Sequence, residues 1–188
     1  SGAQKGASFL GLIEETPTGV ELTPLGREVV RFALHRYDSV DAAIKQFEEW
    51  KRSRRRFCNI APEWGLLARR VLWEYPATKL IVEELQTLHE SAVVQPSIID
   101  LIEQLHVSHP TFTIELFIRG TDDARSKMLT EDGELRVDQL DDGAYYHSPT
   151  VFQLKTMLFH AGILTENGVE PNNLEPEKDI WKLRDPLH

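Results

Sequence analysis

SPTVFQLKTMLFHAGILTENGVEPNNLEPEKDIWKLRD, residues 148–185, is the stretch whose reading decides the fold. Ser148-Pro149 opens a helix: the serine can cap, and a proline in the first turn loses nothing by lacking its N–H. Val151, Leu154, Met157, Leu158 and Ala161 recur at spacings of three and four, so the helix has one apolar face. Gly162 stops it as a C-cap glycine. Ile163-Leu164 begins a strand, Asn167-Gly168 turns the chain, and Ile180-Trp181-Lys182-Leu183 alternates apolar and polar as a returning strand.

Helix, strand, loop, strand resembles the second half of a winged helix. A second echo lies at the N-terminus. Phe9-Leu10-Gly11-Leu12-Ile13 reads as the end of a recognition helix entering a strand. Thr16-Pro17-Thr18-Gly19 is a turn, and Val20-Glu21-Leu22 returns. Thr23 then caps a helix with Pro24 in its first turn, running on through Val29, Val30, Ala33 and Leu34. The resemblance implies a mainly α chain with small β-hairpins, in which winged-helix-like modules at both ends are joined by a helical middle. Residues 1–37 form a partial module, 38–95 the middle, and 96–188 a second module with an acidic insertion near 120–147. About ten residues cannot supply the two helices that precede a recognition helix, so the chain is expected to be a fragment of a longer protein.

In the middle, Ser39 opens a helix with Ala43, Ile44, Phe47 and Trp50 on one face. Trp64–Glu74 follows, with Leu66, Leu67, Val71 and Leu72 expected inward, and Pro76 breaks it. Thr78–Glu90 carries Leu80, Ile81, Leu85 and Leu88 as an apolar stripe that could serve a homodimer. Ile98–His106 is amphipathic. Thr111–Arg119 fits both periods and is read as a helix, because the second module needs one there. The polar segment from Gly120 to Tyr146 is read as an insertion with a small hairpin at Leu135–Val137.

The 188 residues carry 41% hydrophobic and 27% charged side chains, which suffices for a sizeable core. A net charge of -9 excludes a uniformly basic surface, though not a local basic patch. Cys58 is the sole cysteine, so neither an internal disulfide nor a cysteine-rich zinc site can form, and a packed free thiol is expected. No apolar run is long enough to cross a membrane, and the expected setting is cytoplasmic, or with nucleoid or nucleus for a DNA binder.

The densest positive charge is Lys51, Arg52, Arg54, Arg55 and Arg56. Arginine forks fit phosphate oxygens. The plain alternative is a solvated helix end whose cations offset C-terminal carbonyls. In the last module the free side of the helix would present Gln153, Lys155, Thr156 and His160, donors and acceptors suited to base edges. Glu166, Glu170, Glu175 and Glu177 crowd its wing, which favours a protein partner there. In the N-terminal half-module Gln4, Lys5 and Ser8 hold the corresponding positions, and Thr16 and Thr18 leave the wing tip uncharged. His106 and His109 lack a third ligand, and His147 and His160 are too far apart along the helix to chelate, so no metal or cofactor is expected. Neither a phosphate loop nor a nucleophile elbow occurs, so no enzyme is expected. Two functions remain. One is a DNA-binding winged-helix module of a transcriptional regulator or larger DNA-processing protein, contacting double-stranded DNA. The other is a scaffold that binds protein through the same faces.

Overall fold

The computed structural model describes residues 2–53, 55–93, 95–118, 122–139, 149–165 and 181–184. These are mainly helical, with one two-stranded antiparallel sheet. The N-terminal part runs α1 (Gly2–Phe9), β1 (Ile13–Thr16), β2 (Gly19–Leu22) and α2 (Pro24–Arg36). The strands pair in register from Ile13 opposite Leu22 to Thr16 opposite Gly19. Thr23 fastens the hairpin to the helix. Its hydroxyl accepts from Gly26 N at 3.0 Å and donates to Gly11 O at 2.6 Å. Its own N–H donates to Leu12 O at 3.1 Å.

The middle contains α3 (Val40–Ser53), a short α4 (Phe57–Ile60), α5 (Pro62–Glu74) and α6 (Pro76–Glu90). Both α5 and α6 start on proline, where the orphan N–H would have no partner. The four-residue α4 is too short to show a periodic signature, and it was not expected from the sequence. Leu66, expected inward, is 62% exposed. It stands one residue before Leu67, and a 100° step per residue leaves it outside the stripe.

Next come α7 (Ile98–Ser108) and α8 (Pro110–Phe117), both helical as expected. A capping box joins Ser97 and Asp100 at the start of α7. In the acidic segment α9 (Asp122–Met128) precedes a single bridge between Leu129 and Leu135 and a 3-10 turn at Val137–Gln139, so the expected hairpin is reduced to that bridge. Finally α10 (Pro149–Ala161) ends at Gly162, whose φ of 81° only glycine adopts easily. Ile163 N donates to Leu158 O at 2.9 Å, closing a Schellman-type turn. Leu164 then bridges Leu183 antiparallel, flanked by bonds from Thr165 N to Lys182 O and from Arg184 N to Ile163 O. The expected pairing of the two C-terminal ribbons is present at this bridge. The Asn167-Gly168 turn, Ile180, the Ser148 cap, His147 and the acidic wing residues from Glu166 to Glu177 lie outside the described residues.

Two apolar clusters organise the packing. The larger joins α5 and α6 (Leu72, Ile81, Leu85) to α7 (Leu101, Ile102, Leu105), Phe117 of α8, Leu154 and Leu158 of α10, and Trp181. The helical middle and the C-terminal part therefore share one core across residue 95. The apolar stripe of α6 is used inside this core: Ile81 and Leu85 are at most 2% exposed, so they are not available to a second copy. The smaller cluster is Phe57, Ala61 and Trp64, covered by Val29, Phe32 and Ala33 of α2 and by Phe47 and Trp50 of α3. Trp64 Nε1 donates to the Tyr37 hydroxyl at 2.8 Å, and that hydroxyl meets Gln46 Oε1, so the buried polar groups of this cluster are paired.

Candidate nucleic-acid interface

The basic run does not act as one surface. Arg52, in the last turn of α3, and Arg55, beyond its end, are exposed. Arg56 is 5% exposed and points inward. Its Nε and Nη2 donate to Phe159 O at 3.0 and 2.6 Å, and Nη2 also donates to Leu164 O. Its guanidinium lies 4.6 Å from the centre of the Phe159 ring. Arg69 adds a bond from Nε to Ala161 O at 2.7 Å. Two arginines thus satisfy carbonyls at the C-terminus of α10, where the helix dipole also favours positive charge. The plain alternative for this run, a solvated helix end, does not describe Arg56 either: it is buried and offsets carbonyls of α10, about a hundred residues away, rather than those of α3. Arg56 is therefore unavailable to phosphate, which corrects its place among the expected DNA contacts. Arg54 and the Lys51 side chain lie outside the described residues.

The polar flank of α10 is also partly closed. Gln153 is exposed and Thr156 half-buried, but Lys155 is 3% exposed, with Nζ 5.3 Å from the centre of the Trp181 ring. Trp181 is itself fully buried, and its backbone N–H donates to Pro96 O at 2.8 Å. The returning ribbon covers Lys155, which corrects the expectation that this lysine reads a groove. At the other end of the chain Lys5 and Ser8 are exposed on α1, and Pro17 and Thr18 are exposed at the hairpin tip.

His160 is half-buried between aromatic rings, with Trp50 at 5.1 Å and Phe159 at 5.2 Å, both edge-on. Burial, and next the Arg56 charge, push its pKa down to about 4, so it is neutral at pH 7. The unfolded chain binds this proton near pH 6.5 and the folded chain only near 4, so the contribution is complete above 6.5 and is lost as pH falls toward 4. Compared with His160→Gln, the native chain should lose on the order of 2 kcal/mol of relative stability between neutral pH and the lower limit of that window. Urea unfolding of both proteins across the range measures this, and parallel pH profiles would refute it.

His106 faces Glu134 at 3.7 Å and His109 faces Glu84 at 3.6 Å. The buried Glu84 also accepts from Gln104 Nε2 at 2.8 Å. Among the described residues no group of three or more histidine, cysteine or carboxylate side chains is placed to hold a metal. Among them, too, no helix is long and apolar enough to cross a membrane. Cys58 is buried against Gly65 and Gly162.

Comparison of the chain with protein-family models, with curated proteins and with solved structures finds no match.

Proposed function

We propose that this chain is a DNA-binding module of winged-helix type, part of a transcriptional regulator or of a larger DNA-processing protein, with its contact at the N-terminal helix, hairpin and helix. The observation that carries the reading is the exposure of Lys5 and Ser8 on α1 beside a hairpin whose tip, Pro17-Thr18, bears no charge. Arg52 and Arg55 offer further cations for the backbone. Gln153 and Thr156 are the α10 polar residues that this reading retains, and with Lys155 covered, α10 has a secondary part in it.

A second reading, a protein-binding scaffold, has its own support. Leu34, Val40 and Ile44 on α2 and α3 are each more than half exposed, which suits a protein partner better than phosphates.

Salt decides between them. Fluorescence anisotropy of a labelled mixed-sequence duplex should show binding at low salt that weakens steeply as salt rises. In the double variant Arg52→Gln, Arg55→Gln, the slope of log K against log salt should fall by about 2, near 0.9 for each phosphate no longer neutralised. Lys5→Gln should lower it by about one more. No retention at the lowest salt overturns the DNA reading and leaves the scaffold.

A further inference from the structure

An exposed apolar strip runs from the hairpin onto α2. Val20 and Leu22 stand two apart on β2 and so project to the same side of the hairpin. The Leu22 side chain lies against Gly26, its Cδ2 3.1 Å from where a Cβ would stand. Val30 and Leu34 continue the strip along α2 in four-residue steps. All four apolar side chains are exposed. Arg27 and Arg31, each three residues before Val30 or Leu34, form a cationic row beside it. We infer that this face docks an amphipathic helix of a partner protein, with one leucine-rich stripe and with carboxylates where it crosses Arg27 and Arg31.

Charge selects the partner. Glu28, the one carboxylate of α2, is turned to α5, where Arg70 Nη2 meets it at 3.0 Å. Arg27 donates from Nη1 to Leu22 O at 2.6 Å, and among the described residues neither it nor Arg31 has a carboxylate partner. The hairpin has the opposite sign: Glu15 stands opposite Val20, and Glu14 and Glu21 are exposed beside it. The partner helix is therefore acidic over α2 and neutral or basic over the hairpin. An anionic lipid surface is charged alike at both ends and would meet those glutamates. Phosphates would use the arginines but not the carbon next to them.

Backbone selects the partner's conformation. The N–H and C=O groups of α2 are spent inside the helix, so its face offers side chains alone. An extended segment would lay unpaired backbone on carbon, whereas a helix arrives with its backbone satisfied. Leu22 over Gly26, then Val30, then Leu34 recur about every 6 Å, the four-residue repeat of a facing helix.

The inference rests on the protein-binding reading and narrows it to one face. It uses none of Lys5, Ser8, Arg52 and Arg55, which carry the DNA reading. The test is an amide NMR titration of the full chain with a synthetic peptide of about 18 residues, long enough to hold a helix in water. The peptide has leucines along one stripe, glutamates beside them in one half and lysines in the other. Signals of β2 and α2 should shift and saturate. A version with lysine in place of the glutamates should bind about tenfold more weakly. Arg27→Gln with Arg31→Gln should remove that preference. Leu34→Ser should weaken the native pairing about tenfold, and since Leu34 is exposed the variant should still fold. No shift in β2 and α2 at millimolar peptide, or equal binding of the two peptides, overturns the assignment. Shifts confined to Val40 and Ile44 on α3 overturn it too, while leaving the protein-binding reading in place. Sedimentation with phosphatidylserine vesicles, or loss of duplex binding in the arginine double variant, without any peptide-induced shift would give the face to lipid or to DNA instead.

Discussion

Replacing Arg56 by methionine should lower the stability of the chain by about 3 kcal/mol, more than loss of any surface charge. The side chain is 5% exposed and gives three hydrogen bonds to two backbone carbonyls. Phe159 O would keep only the weaker bond from Gly162 N at 3.1 Å, and Leu164 O would lose the guanidinium. Bonds to a charged donor contribute about 1.5–3 kcal/mol, and methionine recovers part of that sum by packing its own carbon. Lysine should recover less than half of the loss, because a single ammonium cannot reach both carbonyls in the fork geometry of a guanidinium. Two measurements separate this from generic core damage. Urea unfolding gives the loss in stability. Histidine NMR gives the pKa of His160, which should rise in Arg56→Met because one of its two depressing influences is gone, yet stay below 6.5 because burial remains. A stability within about 1 kcal/mol of native, or an unmoved His160 titration, would contradict the role assigned to Arg56.

Arg56 also marks where sequence reading succeeds and where it stops. The helix–hairpin–helix from α1 to α2 and the helices from α5 to α7 were legible from local rules such as apolar spacing and a serine or threonine cap, whereas α8 fits both periods and reads as a helix on topological grounds alone. The antiparallel pairing of Leu164 with Leu183 was legible from local rules too, since glycine and alternation announce it. What was not legible is long-range. Arg56 sits in a run of six residues with five cations, and nothing local distinguishes the one that turns inward. Its partner carbonyls lie on α10 and just beyond it, and carbonyls carry no signature in the sequence. Lys155 misled in a similar way. Helical spacing sets it at the edge of the apolar face, four residues after Val151 and three before Leu158, and the Trp181 ribbon closes over that edge, a cover that only tertiary structure shows.

At Gly26, two rules predict opposite signs. By helix propensity alone, Gly26→Ala in α2 should stabilise by up to about 1 kcal/mol. The structure predicts the reverse. A Cβ at this position would stand 1.9 Å from Leu12 O and 2.9 Å from Leu12 C, with Leu22 Cδ2 at 3.1 Å. The first two are backbone atoms, and Leu12 O is held there by the bond from Thr23 N at 3.1 Å. Thr23 cannot relax without also releasing Gly11 O and the cap on Gly26 N. The clash must therefore lift α2 off the hairpin, breaking the two bonds from Thr23 to the turn and the bond from Arg27 to Leu22 O at 2.6 Å. A net loss of about 2–3 kcal/mol is expected, the overpacking and broken bonds outweighing the propensity gain. Because α2 also covers Trp64, the loss should register in two places: faster amide exchange in β1 and β2, and a change in the fluorescence of Trp64. Thr23→Val serves as the control, removing the hydroxyl bonds at near-constant shape. It should cost about 1–2 kcal/mol without the tryptophan change, since the helix can stay seated when nothing pushes it away. If Gly26→Ala proves as stable as native or more so, propensity has won, and the close docking of α2 on the hairpin is not how this end of the chain is held together.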